Sequence, residues 1–280
     1  MEGNDCYKFS TIRNFIEVTG AEPVRVMMDI GVNVGLVTQL MKQYFPEASV
    51  YGFEPVPEYF EMARYNTAGC AGVHLYPRPV TSRHIYADDL AAQQYSTPPA
   101  LRVWKALPEA GPGWGGGSMI LNTDEASDEH RLSGFVNAGP PLRPWTLDRL
   151  VKVILRRERA NQVDVLKMDC EGCEHSCLGC ASKETLNAIR FIVGEYHNIE
   201  RFFGVMRDKL FRTHKVSLIG DRALGAFFAE RLDGRKNGIL RWNKTGMLQP
   251  RPWLAPTAIE WHIFNDPYVL PEERRTHSLP

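Results

Sequence analysis

Val24-Arg25-Val26-Met27-Met28-Asp29-Ile30-Gly31-Val32-Asn33-Val34-Gly35 decides the fold. Val24 to Met28 are apolar apart from Arg25, the composition of a strand buried on both faces. Leu36, Val37, Leu40 and Met41 then recur at helical spacing. Glycines at 31 and 35 permit a tight turn between the two elements. They also let a ligand lie against bare main chain at the helix N-terminus, where free N–H groups point outward. A small polar ligand is expected there.

The acids around the turn narrow the ligand. Asp29-x-Gly31-x-Asn33-x-Gly35 departs from the G-x-G-x-x-G order that presents a diphosphate to a helix end. Asp29, at the strand tip, is a poor neighbour for a phosphate and a good one for an ammonium group. A second strand, Ser49 to Phe53, runs into Glu54, where one carboxylate can accept from both hydroxyls of a ribose. Together the two acids suit S-adenosylmethionine, a nucleoside that carries an amino acid and no phosphate. They disfavour the alternative of a nicotinamide-dependent oxidoreductase on a similar sheet.

Outward from this unit the chain alternates strand and helix. Phe9, Ile12, Phe15, Ile16 and Val18 predict a leading helix ended by Gly20 and Pro23. Pro55 and Pro57 start a helix through about Asn66. Val73 to Tyr76 is a third strand, followed by a turn at Thr81 near where an adenine ring would lie. From about Ile85 to Pro144 the pattern is lost among Pro98-Pro99, the glycine tract 111–117 and Pro140-Pro141, with Ser118 to Leu121 as one added strand. It returns with Thr146 as N-cap of a helix through about Arg157, then Val163 to Asp169 as a fourth strand and Ile189 to Glu195 as a fifth. One helix carrying Cys173, Cys177, Cys180 and Leu186 joins those two. Val216 to Ile219 and Ala226 to Ala229 close the sheet. The expectation is an α/β fold with a doubly wound, seven-stranded, mostly parallel sheet. Its domain would span residues 1–233 with an insertion at about 85–144. Residues 234–280 form a C-terminal extension, in which Trp242, Trp253 and Trp261 can cover one end of the sheet.

Composition restricts the partners. Lys+Arg 33 against Asp+Glu 33 gives no net charge over 280 residues, so the broad basic surface of a nucleic-acid binder is not implied. No run approaches a membrane span, and the N-terminus lacks an apolar leader segment, so a soluble cytoplasmic protein is expected. A small-molecule acceptor is the expected partner, without nucleic acid or membrane, and a homodimer is compatible with it. Six cysteines, four of them within residues 170–180, do not form a disulfide framework, and the thiols are read as reduced.

Three blocks, taken with their spacing, resemble the FkbM-type S-adenosylmethionine-dependent methyltransferases. They are Met28 to Gly35 with Phe53-Glu54-Pro55, then Thr146-Leu147-Asp148, then Leu166-Lys167-Met168-Asp169-Cys170-Glu171-Gly172-Cys173-Glu174 with Glu195-Tyr196-His197. The resemblance covers about residues 24 to 230. It implies a class I methyltransferase (Rossmann-like) fold and methyl transfer to a hydroxyl of a small molecule, often a secondary metabolite or a sugar. An N-methyltransferase of a small molecule is the alternative. Cofactor contacts are expected from Asp29, Gly31, Asn33, Gly35, Glu54, Pro55, Thr81 and Asp169. The insertion and the tail depart from the compact pattern of the family.

Lys167, Asp169 and Glu171 alternate at the carboxyl end of the fourth strand, where open α/β sheets bind ligands. An alcohol is a poor nucleophile until a base takes its proton, and Asp169, Glu171 and His197 are the candidate bases, with Lys167 beside them. Asp169 and Glu195 could converge on magnesium, although an acid-rich pocket without metal is favoured. Cys173-x-x-x-Cys177-x-x-Cys180 has the spacing of an iron–sulfur motif. On a helix, however, it places three small thiols on one face, which suits packing on a sheet. Asn265-Asp266-Pro267-Tyr268 reads as a turn.

Overall fold

The computed structural model describes residues 7–81, 101–106, 118–122, 135–137, 142, 144–197, 199–220, 224–232, 240–242 and 248–250. In chain order the first elements are α1 (Phe9–Thr19), β1 (Val26–Ile30), α2 (Leu36–Tyr44), β2 (Ser49–Phe53), α3 (Pro57–Asn66) and β3 (Val73–Tyr76). Three short strands follow, β4 (Leu101–Ala106), β5 (Ser118–Asn122) and β6 (Phe135–Asn137). The pattern then resumes with α4 (Leu147–Glu158), β7 (Val163–Met168), α5 (Cys173–Cys180), α6 (Lys183–Asn187), β8 (Ile189–His197) and α7 (Ile199–Asp208). The last elements are β9 (His214–Gly220), β10 (Leu224–Arg231), β11 (Leu240–Trp242) and β12 (Leu248–Pro250).

The principal sheet has seven strands in the order β3-β2-β1-β7-β8-β10-β9, and only β10 runs antiparallel to its neighbours. The order reverses between β1 and β7, so the crevice at their carboxyl ends is the topological switch point where such sheets bind ligands. Side chains alternate across the sheet. Val26, Met28 and Ile30 of β1 face a core with Leu150 and Ile154 of α4, Cys177 and Leu178 of α5, and Phe202 of α7. Met27 faces the opposite core with Phe9 and Ile12 of α1, Met41 of α2, Val165 of β7 and Phe191 and Val193 of β8. Asp29 and Lys167 lie on this second face by the same alternation, each two residues beyond the apolar residue of its strand, Met27 and Val165.

The expected doubly wound sheet and its strand count are present. Three local expectations change. β1 begins at Val26 instead of Val24, because Asp164 Oδ2 accepts the N–H groups of Arg25 (2.8 Å) and Val26 (3.0 Å) at the strand entrance. The helix expected between β7 and β8 is two helices. Ala181 is extended, Ser182 caps α6 by accepting from Thr185 N at 3.1 Å, and Asp148 Oδ1 accepts from Ser182 N at 3.0 Å. Within the insertion, the added strand at Ser118 is the edge of a three-stranded antiparallel sheet, β5-β4-β6. Thr146 caps α4 as expected, accepting from Arg149 N at 3.3 Å. The glycine tract 111–117, Trp253, Trp261 and the Asn265-Asp266-Pro267-Tyr268 turn lie outside the described residues, and Trp242 belongs to β11. Among the described residues, no helix is long and apolar enough to cross a membrane.

Candidate active site

The loop after β1 is built by backbone hydrogen bonds. Gly31 N (3.1 Å) and Val32 N (3.2 Å) both donate to Phe53 O at the end of β2. Gly31 has φ +82°, and a Cβ there would lie 1.8 Å from the Asp169 carbonyl oxygen, so no other residue fits against the tip of β7. Asn33 is also left-handed, at φ 52°. That conformation turns its N–H onto Glu54 Oε2 at 2.7 Å, while Val56 N donates to Oε1 at 2.9 Å. Glu54 is only 3% exposed. Burial pushes its carboxyl up to about 7, and the two N–H bonds and Lys167 offset only part of that. Each oxygen holds one backbone donor and keeps a lone pair, which is the chemistry two adjacent hydroxyls require.

Asp29 and Lys167 are placed differently from expectation. Asp29 is fully buried; its Oδ2 accepts from Thr38 Oγ1 of α2 at 2.6 Å. Its Oδ1 faces Lys167 Nζ at 3.1 Å, paired in charge though not aligned as a hydrogen bond. The two residues are register partners in adjacent strands. Lys167 also donates to Gly31 O at 2.7 Å, and its ammonium lies 5.4 Å from the centre of the Tyr7 ring. Burial alone would lower the Lys167 pKa, but Asp29 and then Asp169 outweigh it and raise the value, so the side chain is an ammonium ion. Asp29 is therefore neutralised within the protein instead of facing a ligand's ammonium group. Lys167 is a strut that ties the glycine loop to β7 and is not available as a catalytic group.

Asp169, Glu195 and His197 form the open part of the site, with one ligating atom of each within 4.8 Å of the others. Asp169 N donates to Ile30 O at 3.1 Å, and Asp169 Oδ2 accepts from Tyr7 OH at 2.6 Å. Glu195 is pushed above the usual carboxylate range by burial and then by the charge of Asp169. His197 Nδ1 lies 2.9 Å from Glu174 Oε1 and its Nε2 lies 3.2 Å from Glu171 Oε2. Those bonds to Glu171 and Glu174, against the opposing effect of burial, raise its pKa to about 10. His197 thus favours the imidazolium form, in which both nitrogens donate and neither is free to take a proton as the expected base would.

Glu171 sits in a left-handed turn (φ 56°) with its side chain 43% exposed. The cysteines flanking it, Cys170 and Cys173, are joined by a disulfide, contrary to the reading of all thiols as reduced. Cys177 remains a buried thiol and donates to Val80 O at 3.4 Å, in keeping with a packing role, while Cys180 is exposed. Thr81 is buried and its hydroxyl pairs with Ser176 Oγ at 3.1 Å, tying the turn after β3 to α5. Pro55 is buried beside Glu54.

Sequence reasoning passed over three residues. Glu174 is fully buried and accepts from Gly172 N (3.0 Å), His197 N (3.1 Å) and His197 Nδ1. Its position in Glu-Gly-x-Glu after a strand is a signal, because a carboxylate in the first helical turn can bond the preceding turn's amides. Tyr7, just before α1, reaches Asp169 and Thr38 of α2 reaches Asp29, and nothing in their local sequence indicates it.

The fold is similar to that of a precorrin-6y C5,15-methyltransferase from Geobacter metallireducens GS-15, at 10% identity and a TM-score of 0.39, covering 80% of this chain and 88% of that one. It is also similar to an rRNA methylase from Streptococcus thermophilus, at 8% identity and a TM-score of 0.44, covering 83% and 99%. A third similar structure is the N-terminal domain of EvdMO1 in the presence of SAH and D-fucose, at 10% identity and a TM-score of 0.40, covering 82% and 86%. Among curated proteins, none matches the sequence. The Methyltransferase FkbM domain, in contrast, matches residues 29–218, well over half of the 280-residue chain and the whole of the strand-tip crevice described above. The chain belongs to the FkbM family of S-adenosylmethionine-dependent methyltransferases.

Proposed function

We propose that this methyltransferase acts on a hydroxyl group of a small molecule, of the secondary-metabolite or sugar class. The observation that carries the reading is the joint placement of Asp169, Glu195 and His197 at the carboxyl ends of β7 and β8. S-adenosylmethionine supplies an electrophilic methyl group, so the protein's task is to hold the acceptor in line and remove its proton. Glu54 offers a lone pair on each oxygen to the ribose hydroxyls, and the Gly31 to Gly35 backbone lies beside it.

Glu195, raised by burial and by Asp169, accepts the hydroxyl proton; Asp169, held by the Tyr7 hydroxyl, orients the acceptor. His197 adds a fixed positive charge that favours the alkoxide as it forms. Glu171 and Glu174 hold that charge in place. The acidic surroundings suit an acceptor with several hydroxyl donors better than an anionic one.

Turnover with a panel of sugars and phenols, followed as release of S-adenosylhomocysteine, tests the reading. Glu195→Gln and Asp169→Asn should each lower turnover by about 10²- to 10⁴-fold with cofactor affinity kept. Activity on amines alone, or near-normal rates in both variants, would replace it.

A further inference from the structure

Cys170-Glu171-Gly172-Cys173 spans the junction between β7 and α5, directly after Asp169 and directly before Glu174. A Cys-x-x-Cys pair at a strand-to-helix junction is the arrangement of dithiol–disulfide chemistry, because the helix N-terminus stabilises a thiolate there. Both cysteines are half-buried. Cys177 Sγ is a competing partner, 3.8 Å from Cys173 Sγ. Burial pushes the Cys177 thiol far above its usual range, so it stays protonated and does not attack the pair.

The disulfide encloses Glu171, the residue that bonds His197 Nε2, in a backbone conformation that residues other than glycine seldom hold. Gly172, at φ 104°, completes that turn and gives its N–H to Glu174, which holds the other side of the same imidazole. Opening the disulfide removes the closure of the turn that aims Glu171.

We propose that Cys170 and Cys173 form a reversible thiol–disulfide exchange site that reacts with dithiols, and that its reduction releases Glu171 from His197 and slows the transfer reaction. The effect on turnover rests on the function proposed above; the exchange chemistry does not. One thiolate of the dithiol bonds to a sulfur of the pair as the Cys170–Cys173 bond breaks, and the departing cysteine thiolate takes a proton. The second thiolate of the reductant then bonds to the reductant's first sulfur as the mixed disulfide breaks, and the second cysteine leaves as a thiolate that takes a proton, so the protein gains two thiols while the reductant becomes a disulfide. Oxidised glutathione reverses the change, with two glutathione thiols released.

The experiment uses the full chain equilibrated in oxidised glutathione or in dithiothreitol, quenched in acid, unfolded and labelled with N-ethylmaleimide. Peptide masses should show Cys170 and Cys173 losing label together in the oxidised sample and regaining it in the reduced one, with Cys177 labelled in both. Full labelling of Cys170 and Cys173 after oxidation, or loss of label at Cys177, overturns the exchange site. The ¹⁵N resonances of the His197 ring report its bond to Glu171 without turnover, and they should change on reduction; unchanged resonances overturn the coupling. Turnover should fall roughly ten- to a hundredfold on reduction in the wild type. It should not respond to dithiothreitol in Cys170→Ser/Cys173→Ser, nor in the single Cys170→Ala variant that covers a failure of the double variant to fold. Equal wild-type turnover in both states overturns the link to the reaction. Absence of transfer to any hydroxyl in either state refutes the proposed function, and the labelling and ring resonances still decide the exchange site.

Discussion

Glu54 concentrates the cofactor question in one carboxyl group. Its pKa near 7 means that part of the free protein carries a neutral Glu54 at physiological pH, whereas two hydroxyl donors favour the ionised form. Binding of S-adenosylmethionine should therefore release a proton, and affinity should rise with pH until about 7 and then level off. Calorimetry in buffers of different ionisation enthalpy measures that proton directly, and a pH-independent dissociation constant would remove Glu54 from the ribose. Lys167 and Asp29 make a different prediction. Each is buried with the other as its charge partner, so Lys167→Met leaves Asp29 uncompensated and should cost about 3 to 5 kcal/mol in chemical denaturation. Lys167→Met with Asp29→Leu should recover part of that loss, because the pair is then removed together.

Elements, more than residues, were legible in the sequence. The apolar runs of β1, β2, β7 and β8 and the glycine turn between β1 and α2 announce themselves by composition and spacing, so the sheet could be read before any contact was known. The site was legible only as far as strand tips are. Asp169, Glu195 and His197 could be placed together because they end adjacent strands. Their partners could not: Tyr7 reaches Asp169 across 162 residues of sequence, and no periodicity records that meeting. The cysteine reading failed for a related reason. Spacing on a helix face described Cys173, Cys177 and Cys180, but the bond that forms joins Cys173 to Cys170, which precedes the helix. In α5, Cys177→Ala should cost only about 1 kcal/mol in thermal denaturation and leave turnover unchanged, since it fills space against Val80.

For the molecule as a whole, Glu54 and His197 contribute to the pH dependence of stability with the same sign. The folded protein holds the Glu54 proton up to about 7 against 4.5 for the ordinary group, and the His197 proton up to about 10 against 6.5. In both windows the folded state binds more protons than the unfolded one, so stability falls as pH rises. The Glu54 contribution is lost between about 4.5 and 7, the His197 contribution between about 6.5 and 10. Melting temperature should accordingly decline from mildly acidic to alkaline pH. Glu174→Gln should flatten the alkaline part of that curve and lower the His197 pKa measured by ring resonances. An unchanged alkaline slope in that variant would show that other groups set it.

The contact of Gly31 with the Asp169 carbonyl has a consequence for how the protein breathes. Gly31 N and Val32 N hang from Phe53 O, Asp169 N hangs from Ile30 O, and Lys167 bolts Gly31 O to Asp29. No one of these can open while the others stay closed. In amide hydrogen exchange the three N–H groups should therefore share one protection factor and lose it together in Gly31→Ala, even though 138 positions separate Gly31 from Asp169 in the sequence.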